Sequence, residues 1–269
     1  MNLTSPSQVK AWCIENEFHP NKVLGQNFLI DRNALEAIVD AGLEGAEVSS
    51  DGKLDVLEIG PGLGVLTEEM LRRGARVTAV EKDPVLAGRL KPALGDHPAL
   101  DVIAGDALKV RVEKRFGCMV SNLPYQAGTR ILLELVQRRE LPVITVLVQT
   151  EVAERLAAKE GSKVRGLAGV WAQLDYDVKL IRKVSASCFW PRPEVGSSVV
   201  KLVRHDRNAD FSPECRKLFH SLTKKAFEHR RKQLGSVFKD LIQSTARAED
   251  LSNEAWIELT KGLIDNDNT

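Results

Sequence analysis

The chain has 269 residues, 43% of them hydrophobic, with 38 Lys/Arg against 37 Asp/Glu and a formal net charge of +1. That length supports one sizeable core plus a smaller appended unit, and the lack of any run of about eighteen apolar residues excludes a membrane-spanning helix. The opening ten residues are polar without an apolar signal-peptide core, and Cys13, Cys118, Cys188 and Cys215 show no paired metal-ligand spacing, so a reduced cytoplasmic setting with no bound metal and no membrane is expected.

In chain order, residues 6–16 and 32–41 read as helices. Residues 21–31 between them have neither helical nor strand period and are either a linker or a loop positioned by a site. From residue 53 to 150, short runs rich in Val, Ile and Leu alternate with amphipathic segments. Residues 54–59, 76–80, 100–103, 116–121 and 143–148 read as buried strands, and 65–73, 84–94 and 129–138 as helices. This alternation specifies a mostly parallel sheet covered on both faces. Residues 178–184 and 197–203 follow as strands without a crossover helix, so an antiparallel pair at one sheet edge is expected. Beyond Arg204 the strand signals stop: 213–227, 230–241 and 253–263 read as helices, the first with Ser212 as cap and Pro213 in the first turn. The expected division is an α/β domain over residues 1–204 and a small all-α domain over 205–269.

Charge is unevenly spread along that second part. Residues 201–239 carry eleven Lys/Arg against four acids, and 240–269 two against seven. A basic stretch of this kind is either a solvated helix face or an electrostatic footprint for phosphate.

Gly60-Pro61-Gly62-Leu63-Gly64 closes the first strand of the sheet and opens a helix. Glycines there permit a tight turn and a close approach of backbone to ligand, and the helix N-terminal amides face that ligand. Glu81 ends the next strand, where its carboxylate can accept from both hydroxyls of a ribose, each charge-assisted bond contributing roughly 1.5–3 kcal/mol. Asp106 follows the third strand and is placed for the amine of an adenine. The same residue types also make ordinary turns. A dinucleotide fingerprint spaces its glycines one and then two residues apart, whereas these stand one and one with Pro61 intervening, and no Gly-Lys-Ser/Thr follows as in a P-loop. A ligand with ribose and adenine but no pyrophosphate fits best, and S-adenosylmethionine is such a ligand.

Ser121-Asn122-Leu123-Pro124-Tyr125 follows the fourth strand and opens onto the same rim. The side-chain carbonyl of Asn122, with the backbone carbonyl of Leu123 or Pro124, offers two acceptors to an exocyclic adenine amine. That favours a pyramidal nitrogen with an available lone pair and stabilises positive charge as it develops. Pro124 stiffens the turn and removes a competing donor, and Tyr125 offers a stacking face worth about 1–3 kcal/mol. A plain β-turn with a packed tyrosine is the competing explanation. Phe189, or Trp190 beside it, is held by the turn at Pro191-Arg192-Pro193 and is expected to cover the other face of an extruded base. The chemistry these residues specify is methyl transfer from S-adenosylmethionine to an adenine nitrogen.

With Leu24-Gly25-Gln26-Asn27-Phe28-Leu29-Ile30-Asp31, the Glu58-to-Gly64 turn, Val80-Glu81-Lys82-Asp83, Gly105-Asp106-Ala107, Asn122 to Tyr125, Val148 to Arg155, Phe189 to Val195 and Phe227 to Leu234, the chain resembles the ribosomal RNA adenine dimethyltransferases over nearly its whole length. The resemblance implies a Rossmann-like class I S-adenosylmethionine-dependent methyltransferase sheet with a small all-α C-terminal domain. It implies cofactor contacts by Asn27, Leu29, Gly60, Glu81, Asp106 and Asn122, joined by Gly62 from the glycine turn, and gives residues 21–31 a role as a loop over S-adenosylmethionine. As substrate it implies two adjacent adenosines in a hairpin loop near the 3′ end of small-subunit, 16S-type rRNA, each methylated twice. Hairpin loops suit this chemistry because their bases are already partly unstacked. Lys224, Lys225, Arg230, Arg231 and Lys232 then become rRNA phosphate contacts, on a protein for which nothing demands more than a monomer.

Three positions depart from the family pattern: Gly196 stands where an aspartate is expected, Arg165 where an aromatic is common, and residues 44–53 form a lengthened linker. Two other functions share the fold, a macrolide-resistance methyltransferase of large-subunit rRNA and a non-catalytic assembly or transcription factor. The helical C-terminal part and the Phe227-to-Leu234 segment favour the small-subunit enzyme over the first. The intact Glu81, Asp106, Asn122 and Tyr125 speak against the second.

Overall fold

The computed structural model describes residues 2–21 and 24–267; Met1, Asn268, Thr269, and Lys22 and Val23 of the expected 21–31 loop lie outside the described residues. Helix α1 (Pro6–Glu15) starts on a proline that needs no intrahelical partner. After the short strand β1 (Phe28–Leu29), Asp31 caps α2 (Arg32–Leu43) by accepting from Ala34 N at 2.7 Å. The chain then alternates through β2 (Asp55–Ile59), α3 (Val65–Arg72), β3 (Arg76–Glu81), α4 (Pro84–Ala93), β4 (Leu100–Ala104), β5 (Cys118–Asn122), α5 (Gly128–Arg138) and β6 (Val143–Gln149). Helices α6 (Thr150–Ala157) and α7 (Leu167–Asp175) follow, then β7 (Tyr176–Val184), β8 (Phe189–Trp190) and β9 (Ser197–Arg204).

Seven strands form one sheet in the order β4-β3-β2-β5-β6-β9-β7. The first five are parallel, and β9 runs antiparallel to β6 along its whole length. The two late strands are neighbours at one edge as expected, with β9 rather than β7 against β6. Strands β2, β5 and β6 are buried almost throughout, which accounts for the apolar run of β6 and makes Asp55 and Glu58 of β2 and Ser121 of β5 buried polar residues. Ile38 and Val39 of α2, Leu66 and Met70 of α3, and Val120 and Leu147 of the sheet belong to one core, each such side chain contributing roughly 1.5–3 kcal/mol on burial. Cys118 lies in that core with its thiol pushed up to about 12 by burial, whereas Cys188 is only half-buried. A separate two-stranded ribbon pairs Phe28 with Trp190 and Leu29 with Phe189.

The chain divides into two compact units, Met1–Ala153 with Lys179–Arg204, and Glu154–Val178 with His205–Thr269. The second is larger than the 205–269 piece read from the sequence, because it recruits residues 154–178 from within the expected α/β domain. Helix α7 (LAGVWAQLD) is apolar on nearly every side and buries Val170 and Leu174 against Phe219 and Leu222 of α8 (Pro213–Glu228) and Trp256 of α10 (Asn253–Asp267). Ser212 caps α8 as expected, accepting from Cys215 N at 3.1 Å. The helix expected over 230–241 does not form. Among residues 229–241 only Leu234–Val237 is α-helical, labelled α9 in chain order before α10, with a 3-10 turn at Lys239–Leu241. Leu234 N and Gly235 N donate instead to Ala246 O and Ser244 O at 2.8 and 2.9 Å, and these tertiary bonds override local propensity.

The departure at Arg165 has a structural reason inside this unit. The side chain is 1% exposed, and its guanidinium donates to Asn253 Oδ1 at 2.7 Å and Ala158 O at 3.0 Å. Burial holds its pKa below the usual arginine value. Removing the partner of a buried charge destabilises by more than the intact pair stabilises. Asn253→Ala is therefore expected to destabilise the helical unit by about 3 kcal/mol, read by urea unfolding followed through tryptophan emission; a loss below about 0.5 kcal/mol would show that the guanidinium does not depend on Asn253.

Candidate active site

Strands β2 and β5 pair only at Val56 with Cys118 and Leu57 with Met119. Past that point they diverge, and Ser121 Oγ accepts the N–H of Ile59 at 2.8 Å where the ladder no longer does. The divergence lies at the carboxyl ends of the strands where the strand order reverses, the place where open α/β sheets form a crevice. A cavity of about 200 Å³ occupies it, walled by the glycine turn, Glu81, Asp106, Asn122 and residues 24–29.

The glycine turn is shaped for close approach. Gly60, Gly62 and Gly64 have φ of +70°, +59° and +92°, and a Cβ on Gly62 would stand 3.1 Å from the Phe28 ring. Glu81 is 7% exposed; one carboxylate oxygen accepts from Gly62 N at 3.1 Å and the other from Asp83 N at 2.8 Å. Burial pushes its carboxyl above the usual range, and the two backbone donors pull against that rise. A carboxylate has about four lone-pair sites, so the two ribose hydroxyls of S-adenosylmethionine fit the acceptor capacity that remains. Asp106 accepts from Leu108 N at 3.0 Å and from Lys82 Nζ at 2.9 Å, and the lysine holds its carboxyl below the usual range. The Asp106 carboxylate is therefore shared with Lys82 rather than reserved for an adenine.

At the fourth strand end, Asn122 Nδ2 donates to the backbone carbonyl of Asn27 at 3.1 Å, which leaves Oδ1 as the acceptor the side chain presents. Pro124 O accepts from Gly128 N at 2.7 Å and starts α5. Of the two backbone carbonyls the sequence left open beside Asn122, Pro124 O is therefore the one already engaged in the protein. Gly25 lies directly on this turn, since a Cβ there would approach Tyr125 N to 3.0 Å. Asn27 and Leu29 both line the cavity, Leu29 as a buried side chain. The half-buried Tyr125 shares a 2.6 Å hydrogen bond with Ser197 Oγ.

Phe189 is placed differently from expectation. It is 2% exposed, belongs to the main core and does not line the cavity, while Trp190 is half-buried beside it. Pairing of β8 with β1 drives the alternate side chain inward at Phe189, so its ring has no exposed face for a base here and Trp190 is the more accessible aromatic. Gly196 does not disturb the turn: its carbonyl accepts from Thr150 N at 3.0 Å, and an added Cβ would meet only ordinary contacts at 3.5 Å or beyond. Of the basic residues, Lys224, Lys225, Arg231 and Lys232 are exposed, with Lys225 Nζ 5.4 Å from the Phe238 ring. Arg230 is half-buried and committed to Glu249 at 3.3 Å and to the Lys163 carbonyl.

Glu58, for which the sequence pattern suggested no role, lines the cavity at 1% exposure and accepts from Thr67 Oγ1 at 2.6 Å. Burial pushes its pKa up to about 8, helped by the neighbouring Glu81 charge and opposed by the Thr67 bond. Its place in a strand of apolar neighbours was the available signal.

A family model described as ribosomal RNA adenine dimethylase matches residues 17–260. The chain belongs to the ribosomal RNA adenine dimethylase family. It is 38% identical to the ribosomal RNA small subunit methyltransferase A of Clostridium perfringens, over 90% of this chain and 84% of that one. Its identity to the protein of that name in Deinococcus radiodurans is 43%, over 86% and 76%. A dimethyladenosine transferase from Plasmodium falciparum shares the fold, with a TM-score of 0.75 at 22% identity over 89% and 98% of the two chains. The 23S rRNA methyltransferase ErmE matches with a TM-score of 0.68 at 25% identity, over 88% and 100%. The fold of this dimethylase is the Rossmann-like class I methyltransferase fold with a helical C-terminal part, and its activity is S-adenosylmethionine-dependent dimethylation of adenine in rRNA.

Glu58 gives the dimethylase a distinctive pH dependence. Its folded pKa of about 8 exceeds the reference value of 4.5, so the folded state holds the proton more tightly than the unfolded one. The stability this confers is full below the lower value and is lost as pH rises through the higher. Urea unfolding should show the parent losing stability relative to Glu58→Gln between pH 5 and 8.5, roughly the interval spanned by the two values; a difference that is flat or rises with pH would contradict the protonated carboxyl.

Proposed function

We propose that the chain transfers two methyl groups to each of two adjacent adenosines in the hairpin loop near the 3′ end of small-subunit rRNA, and so takes part in small-subunit biogenesis. The observation that carries this reading is the pair of acceptors at the cavity rim, Asn122 Oδ1 and Leu123 O, set beside a carboxylate suited to a ribose. The names of the curated relatives support a small-subunit substrate. S-adenosylmethionine, when bound, supplies an electrophilic methyl already activated by its positive sulfur, so the reaction calls for no metal ion.

The protein's own residues do the rest. Glu81, Asp106 and the backbone of Gly60 and Gly62 hold the ribose and adenine of the donor, with Asn27 and Leu29 covering it. Asn122 Oδ1 and Leu123 O accept the two N–H bonds of the substrate amine, withdrawing its lone pair from the ring and stabilising the charge that develops. Pro124 withholds a backbone donor from that pair of acceptors. Tyr125, held by Ser197, supports one face of the base, and Trp190 is better exposed than Phe189 to support the other. No side chain is asked to act as general base, because the methylated amine sheds its proton readily. Lys224 and Lys225 of α8 and Arg231 and Lys232 after it supply phosphate contacts, Arg230 contributing by bracing the turn that carries the last two. A monomer working in the cytoplasm satisfies every part of this account.

The direct test is methyl incorporation from labelled S-adenosylmethionine into small subunits lacking their 3′-terminal dimethyladenosines, with large-subunit rRNA in parallel. Incorporation approaching two methyls on each of the two adenosines supports the proposal. Label confined to large-subunit rRNA would assign the macrolide-resistance type of activity, and no label with intact subunit binding would favour an assembly factor. In the same assay, Asn122→Ala should lower turnover by about a hundredfold or more while rRNA affinity is retained; a near-normal rate would remove the acceptor mechanism. Charge reversal at Arg231 and Lys232 should weaken subunit binding and flatten its dependence on log salt by about one unit for each phosphate no longer neutralised. An unchanged slope would make this turn a solvated surface.

A further inference from the structure

We infer that Gln26 is a positioning residue, whose side chain latches residues 25–29 to Asp83 and so holds Asn122 in the amide orientation that the amine site requires. This rests on the methyl-donor reading of the cavity. Gln26 lines that cavity, but its amide is engaged by protein partners: Nε2 donates to Asp83 Oδ2 at 2.9 Å and Oε1 accepts from Asn21 N at 2.7 Å. With both ends engaged, neither a flip nor a shift of this side chain is possible without losing two bonds.

Asp83 is a rigid post for the latch. Its other oxygen caps α4, accepting from Val85 N at 2.9 Å and Leu86 N at 3.3 Å, and its own N–H donates to Glu81 at 2.8 Å. The residue after Gln26 supplies the carbonyl that accepts from Asn122 Nδ2 at 3.1 Å. A continuous polar chain therefore joins the ribose carboxylate to the amine acceptor through two adjacent residues of one loop. Its chemical consequence lies in the symmetry of a carboxamide. An Asn122 side chain without the Asn27 carbonyl can rotate by half a turn and present its NH2 where an acceptor is needed, setting donors against the N–H groups of the substrate. The loop has other anchors, the Gln26 N–H donating to Asn21 O at 3.2 Å, Asn27 Nδ2 donating to Gly25 O at 3.2 Å, the Gly25 contact with Tyr125 N and the pairing of Phe28 with Trp190; the Gln26 side chain is the one that ties this backbone to the post at Asp83. Gln26 acts through Asn27 and touches no reacting atom.

The reciprocal pair of variants tests this. Gln26→Glu keeps an acceptor for Asn21 N but sets a carboxylate against Asp83. It should weaken binding of S-adenosylhomocysteine, measured by calorimetry without RNA, and lower methyl-transfer turnover, each by about tenfold, with the melting temperature and rRNA affinity of the parent. In Gln26→Glu/Asp83→Asn, the amide introduced at 83 can donate to the carboxylate introduced at 26 and still cap α4. Both quantities should return to within about threefold of the parent. A single variant within about twofold of the parent in both, or a double variant as impaired as the single, would overturn the latch. A parent that binds no S-adenosylhomocysteine would overturn the latch together with the methyl-donor reading beneath it.

Discussion

The ladder between β2 and β5 ends after two register pairs, and the hydroxyl of Ser121 takes over as acceptor for Ile59. A backbone donor in the middle of a buried sheet cannot be left unmet, so this one side-chain bond is what allows the central strands to separate without a penalty. The cavity and the residues that wall it gather at the carboxyl end of the resulting gap. The glycine turn leaves from one lip and Asn122 from the other, and residues 24–29 lie across the opening. Ser121 precedes Asn122 directly, so the residue that permits the crevice and the residue that faces into it are set by the same strand end.

The alternation of strands and helices from 53 to 150 was legible because parallel strands buried on both faces carry continuous apolar runs, which local composition displays directly. That Gly60, Gly62, Glu81, Asp106 and Asn122 would meet around one cavity was legible for a related reason, since strand ends and glycine turns are local features. Three kinds of feature escaped. Helix α7 has no polar face and so no helical period to detect; its register is set by α8 and α10, distant in sequence. The missing helix at 230–241 has favourable composition but gives its backbone donors to residues 244–246. Phe189 and Trp190 are adjacent aromatics whose difference is created by β1, some 160 residues earlier. For α7 and for the two aromatics the deciding partner lies far along the chain, and for residues 230–241 it lies just beyond the segment itself; in none of them does local periodicity carry the information.

Four of the polar groups that line the cavity form two matched pairs. Asn122 and Gln26 are both carboxamides whose orientation is fixed by bonds to protein, so that each amide has a defined chemical sense. Glu58 and Glu81 are both buried acids with pKa values raised by burial, but they differ in their donors. Glu81 receives two backbone N–H bonds and Glu58 a single hydroxyl. That difference accompanies a Glu58 pKa pushed up to about 8, while the rise that burial causes at Glu81 is opposed by its backbone donors.

The Arg165–Asn253 contact joins positions 88 residues apart in one buried pair. An aromatic introduced at 165 alone would leave the Asn253 side-chain oxygen facing an apolar ring, and loss of Asn253 alone would leave one end of the guanidinium unmet, with Ala158 O still serving the other. The two positions are consequently tied in their divergence: a lineage can pass between the arginine and aromatic forms of this unit only by changing both, through an intermediate less stable than either end. Such a pair behaves as a ratchet on sequence drift, and Asn253 and Arg165 should be found or lost together.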